Sequence, residues 1–150
     1  MIDLNCGALA ELAHAVLPGM IERKSGAILN VASTAAFQPG PGMAVYFATK
    51  AFVLSFSEAL HEEVKRQGIT VTALCPGPTA TEFGEVAGFG PSSPSSRLAA
   101  RSGPVVEAGL RGLETGRAIV IPGLMNKATA QANRFFPRAM VRRAVGMLKK

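Results

Sequence analysis

The chain has 150 residues, 48% of them hydrophobic and 17% charged, which excludes a disordered or collagen-like polymer and suits one domain or part of one. No continuous apolar run approaches the ~18 residues of a membrane span, and no basic segment opens a secretory signal. The net charge of +6 lies in residues 134–150, where six cations meet no acid, so residues 1–133 balance and the high charge is weak evidence for a nucleic-acid-binding face; no nucleic-acid partner is expected.

In chain order, residues 3–23 predict a helix, with Leu9, Leu12, Ala13, Val16 and Leu17 at three- and four-residue spacing. The stretch 27–32 is short and nearly continuously apolar, as buried parallel strands are. Gln38-Pro39-Gly40-Pro41-Gly42 marks a loop over 33–43, and a second long helix is expected over 44–67. Ile69 to Leu74 is rich in β-branched residues and predicts a strand that Pro76-Gly77 ends. Residues 78–102 read as a long Ser/Pro/Gly-rich insertion of the kind that forms a lid. A third helix over 104–115, a strand over 118–121 and a helical tail broken at Pro137 complete the chain. Strands alternating with helices predict a parallel α/β sheet whose ligands bind beyond the C-terminal strand ends. Ser33 and the segment Pro76 to Thr81 fall on that rim.

Tyr46 is the only tyrosine, and Lys50 lies one helical turn on, so both side chains share a face. A neighbouring ammonium favours a phenolate, and such a phenol can exchange a proton with an alcohol oxygen. Taken alone, a Tyr/Lys pair at this spacing also fits a surface contact. Cys6 and Cys75 lack metal-ligand spacing and read as free thiols of a reduced, cytoplasmic compartment. His14 and His61 read as structural. Gly-x-Ser-x-Gly is absent, which argues against a serine hydrolase elbow.

Three segments taken together, Gly26 to Ser33, Tyr46-Phe-Ala-Thr-Lys50 and Val71 to Thr81 with its Pro76-Gly77, resemble the short-chain dehydrogenase/reductase family. The resemblance is strong over residues 2–83 and returns at 116–123. It implies the C-terminal part of a Rossmann-type doubly wound sheet, with about three parallel strands over 1–133 and a basic amphipathic tail over 134–150. It also implies an oxidoreductase moving a hydride between NAD(P)(H) and a small carbonyl/alcohol substrate. In that family's pattern Tyr46 is the acid or base and also contacts the cofactor, and Lys50 acidifies it and bonds the nicotinamide ribose. Ser33 holds the substrate oxygen, and Asn5 holds a water in a proton relay. Pro76, Gly77, Thr79 and Thr81 contact the nicotinamide end. Without the resemblance, Asn5 also reads as a solvated polar residue at a helix start.

The family's T-G-x-x-x-G-x-G turn and N-N-A-G segment are not in this sequence. The expectation is therefore a fragment of a longer reductase, with Met1 an internal residue and little catalysis by these 150 residues alone. The residue that selects NAD or NADP belongs to the missing part, so the cofactor preference is not legible. The apolar, Gly/Pro-rich loops at Phe37 to Met43 and 82–100 suggest a hydrophobic carbonyl compound. The alternatives are a non-catalytic assembly module and a membrane-surface binder acting through the tail. Helices 3–23 and 44–67 are the expected contacts of a homo-oligomer.

Overall fold

A computed structural model of the chain describes residues 1–82 and 99–147. A π-helical turn, Asp3–Gly7, leads into α1 (Ala8–Glu22), followed by β1 (Gly26–Val31). A 3-10 turn, Thr34–Phe37, precedes α2 (Ala44–Val64), and a second, Lys65–Gln67, joins it to β2 (Ile69–Leu74). Then come α3 (Ser102–Glu114), β3 (Ile119–Val120), α4 (Leu124–Ala132) and α5 (Arg138–Met147). Most of the expected lid lies outside the described residues. Its flanks meet where Thr79 bridges Ala100.

The strands form one parallel sheet in the order β1-β2-β3, with Gly26 opposite Ile69 and Val31 opposite Leu74. β2 is paired on both edges, which fits its largely buried, β-branched sequence: Val71 and Ala73 are fully buried and Thr72 turns its hydroxyl to Arg117 O at 2.7 Å. Alternate residues along β2 point to opposite faces. Ile69, Val71 and Ala73 meet α1 and α2 through Ala13, Leu60, Val64 and Val53. Leu74 meets α3 through Val105. Helices thus cover both faces of the sheet. A buried bond from Asn30 Nδ2 to Ser57 Oγ, 2.9 Å long, locks β1 to α2.

The described segment Asp3–Glu22 corrects one expectation. As a single 20-residue helix of mean hydropathy 1.3 it is long and apolar enough to cross a membrane, although polar residues interrupt every apolar run. Here it lies on the sheet, with Ala13, Leu17 and Met20 packed on the core. Its other side leaves Leu12 and Val16 exposed, as α2 leaves Val45 and Phe52. The strand expected over 118–121 is shorter, because Pro122 lacks the N–H that would extend pairing.

Candidate active site at the sheet rim

The expected residues gather where β1 and β2 end. Ser33 follows β1 in extended backbone and caps the 3-10 turn, its Oγ accepting from Ala35 N at 3.1 Å. The same hydroxyl points to Pro76 O at 3.4 Å, and Thr34 N donates to that carbonyl at 2.9 Å. The two loops predicted to converge are therefore bonded to each other through Ser33, Thr34 and Pro76.

Lys50 reaches from the first turns of α2 to the end of β1, where its Nζ donates to Val31 O at 2.8 Å. Ala32 N is bonded to Leu74 O, so the alternating carbonyl of Val31 faces away from β2, and the ammonium caps it. The same nitrogen lies 5.9 Å from the centroid of the Tyr46 ring. Partial burial holds the Lys50 ammonium below its ordinary value, against the opposing effect of the Cys6 and Cys75 sulfurs. Tyr46 also packs edge-on against Phe47.

Asn5 comes from the π-helical turn, which offsets it from the α-helical register that follows. Its Nδ2 donates to Thr49 Oγ1 at 3.0 Å, and that hydroxyl donates to Tyr46 O at 2.9 Å. Asn5 is thus tied to the helical turn that carries both Tyr46 and Lys50. Thr49 is the residue that the sequence reading missed. The available signal was a threonine three residues after Tyr46, a spacing at which a hydroxyl bonds back into its own helix.

Pro76 and Gly77 form the rim beside Ser33. Thr79 Oγ1 donates to Gly77 O at 3.0 Å, which keeps Thr79 within that loop, while Thr81 is exposed beyond it. Asn126 of α4, also unforeseen, fills the space behind: a Cβ on Gly77 would lie 2.5 Å from its Oδ1. His61 donates through Nδ1 to Val71 O at 2.8 Å, which ties α2 to β2. No group of metal-ligating side chains occurs among the described residues.

Cys75 lies under this rim, fully buried. Burial above all, reinforced by the charge of Glu58, pushes its thiol from 9.0 up to about 12, while a hydrogen bond from the Ser33 backbone and the charge of Lys50 act the other way. An unfolded thiol ionises first, so the stability this group contributes is intact below pH 9.0 and is lost as pH rises toward 12. A thiol reagent at about pH 8 is expected to label half-buried Cys6 in the native chain and Cys75 only after denaturation. Equal labelling rates would contradict this burial.

Comparison with known proteins gives the same arrangement a lineage. A family model described as short chain dehydrogenase matches residues 1–88. The chain is 36% identical over 140 residues to a very-long-chain 3-oxoacyl-CoA reductase of Mus musculus, covering 93% of this chain and 43% of that protein. It is 38% identical over 127 residues to the Rattus norvegicus protein of the same name, covering 84% and 40%. A short-chain dehydrogenase from Sphingobium yanoikuyae, solved in complex with NADPH, superposes with a TM-score of 0.79 at 37% identity, covering 90% of this chain and 52% of that one. The chain therefore spans less than half the length of these two mammalian relatives and about half of that bacterial protein. Its Ser33, Tyr46 and Lys50 sit at the C-terminal edge of a parallel sheet, its three strands match the superposed fold, and the family match covers more than half of its length: the chain belongs to the short-chain dehydrogenase family.

Proposed function

We propose that this rim is the proton-transfer centre of an NAD(P)-dependent oxidoreductase acting on a carbonyl/alcohol pair. The observation that carries the reading is Lys50. Its ammonium is anchored to Val31 O, two residues before Ser33, and stands 5.9 Å from the ring of Tyr46. An ammonium has three N–H donors, and Val31 takes one, so the others remain for the hydroxyls of a nicotinamide ribose. The donor set fits that end of the cofactor, with Pro76, Gly77 and Thr79 lining it and Thr81 farther out. The sequence holds no T-G-x-x-x-G-x-G turn for the pyrophosphate.

A nicotinamide held by these residues would supply or receive the hydride. In carbonyl reduction the Ser33 hydroxyl donates to the carbonyl oxygen and stabilises the charge that grows on it. The Tyr46 phenol gives that oxygen its proton, and the Lys50 cation stabilises the phenolate left behind. In alcohol oxidation the same groups work in reverse. Asn5, through Thr49, holds the turn of α2 that sets Tyr46 and Lys50. The names of the two mammalian relatives make a 3-oxoacyl thioester the first carbonyl compound to try. The exposed Leu12, Val16 and Phe52 support pairing of α1 and α2 with a second copy.

The chain has one tyrosine and no tryptophan, so its intrinsic emission comes from Tyr46. Reduced nicotinamide mononucleotide, NADH and NADPH are each expected to quench that emission, the mononucleotide because this rim would hold the nicotinamide end. Lys50→Met is expected to weaken the quenching about tenfold, the equivalent of one charge-assisted hydrogen bond. No quenching by any of the three nucleotides would overturn the proposal.

A further inference from the structure

A second concavity lies behind the rim. Ala44, Phe47, Ala48 and Ala51 recur at helical spacing and form one face of α2. With the loop from Ala36 to Pro41 and one side of α5 they enclose a groove of about 480 Å³. None of Ser33, Tyr46 and Lys50 lines it. The groove wall is closely built: a Cβ on Gly40 would lie 2.2 Å from the Phe47 ring, and one on Gly146 of α5 would lie 3.6 Å from Pro41. Asn133 Nδ2, beyond the end of α4, donates to Gln38 Oε1 at 2.7 Å and ties the loop to the C-terminal helices.

The charges bordering this apolar space are of one sign. Arg138 and Arg142, one turn apart on α5, both line it. No acidic residue follows Glu114 in the sequence. The ion pair among the described residues is Lys65–Glu62, so neither guanidinium is neutralised by a carboxylate there. A bilayer is a poorer match than a single molecule, because these two arginines border a concavity. A flat surface would meet the outward Arg143, Met140 and Met147 instead, and the two methionines are 56% and 73% exposed.

We propose that this groove binds one molecule of a long-chain anionic amphiphile, with its alkyl chain against Phe37, Phe47 and Ala48 and its anionic head on Arg138 and Arg142. Cavities of this size suit small ligands, and paired guanidiniums suit phosphate or carboxylate oxygens. The site does not depend on the reading of Tyr46 and Lys50.

The test is calorimetric titration of the whole chain with decyl phosphate below its micelle concentration. Inorganic phosphate and decanol serve as head-only and chain-only probes. Decyl phosphate is expected to bind at least about tenfold more tightly than either. Arg138→Gln with Arg142→Gln should raise its Kd by about tenfold or more while leaving decanol unchanged. Ala48→Phe, at an exposed helix position, should abolish binding of both without altering the circular dichroism. Equal Kd values for the wild type and these variants would overturn the proposal. So would binding only to phosphatidylglycerol vesicles with no response to Ala48→Phe, which would assign the cations to a membrane surface. A sedimentation mass halved by Ala48→Phe, with no ligand effect, would make the groove a contact between copies and would also overturn it.

Discussion

On the proposed mechanism, Tyr46→Phe is expected to lower carbonyl reduction by roughly 10²–10⁴-fold, the range of positioned acid–base catalysis, with a much smaller effect on nucleotide affinity. The substitution removes one hydroxyl. The ring keeps its edge-on packing against Phe47, and the backbone keeps the bond from Thr49 to its own carbonyl. On the proposed mechanism the loss should appear mainly in kcat, because the deleted hydroxyl is the group that moves the proton while Lys50 still holds the ribose. Lys50→Met should behave differently. It removes the proposed ribose donor and the cation beside the phenol, so nucleotide Kd and kcat should both deteriorate. It also uncaps Val31 O, a change that amide exchange at the end of β1 would report. Calorimetry for affinity and stopped-flow measurement of nicotinamide absorbance for the chemical step separate the two variants. A Tyr46→Phe protein of undiminished rate would remove the phenol from the mechanism, whatever else binds at the rim.

The order of elements was legible because each obeys a local rule. Ile69 to Leu74 reads as a buried strand since both edges are paired and both faces covered; of its two threonines Thr70 is only partly buried and Thr72 finds Arg117 O. Tyr46 and Lys50 were legible as a pair because a helix repeats every turn. The convergence of Ser33 with Pro76 followed from parallel topology. What sequence reasoning could not reach depends on the third dimension. Asn5 enters through a π-helical turn, and one added residue in a turn leaves no mark in a pattern of apolar spacing. The partner of Lys50 is a backbone carbonyl on another element, which no side-chain motif encodes. Gln38 and Asn133 are bonded across 95 residues, joining the loop after β1 to the segment that follows α4. The helix Asp3–Glu22 shows the reverse case: composition alone passes it as a membrane span, and packing on the sheet gives it another use.

The turn that starts β2 should be the most sensitive position for stability. Gly68 has a φ of 77°, and a Cβ there would lie 2.4 Å from Lys24 O. Lys24 is itself left-handed, with a φ of 51°, in the turn that starts β1. The two turns touch because β1 and β2 begin in register, Gly26 beside Ile69. Gly68→Ala therefore carries two costs, a left-handed backbone for a residue with a Cβ and an overlap with a carbonyl that cannot rotate away. Together these should destabilise the chain by about 2–4 kcal/mol. Thermal unfolding should shift down by roughly 5–10 °C for a domain of this size. Gly116 supplies the internal control. Its φ is 68°, yet a Cβ there would meet nothing within 4 Å. Gly116→Ala should then cost only the backbone contribution, about 1 kcal/mol. If the two variants melt together, the contact between the turns does not constrain the fold. If Gly68→Ala melts well below Gly116→Ala, the difference measures how firmly the paired turns hold the sheet that carries Ser33 and Pro76 at its far end.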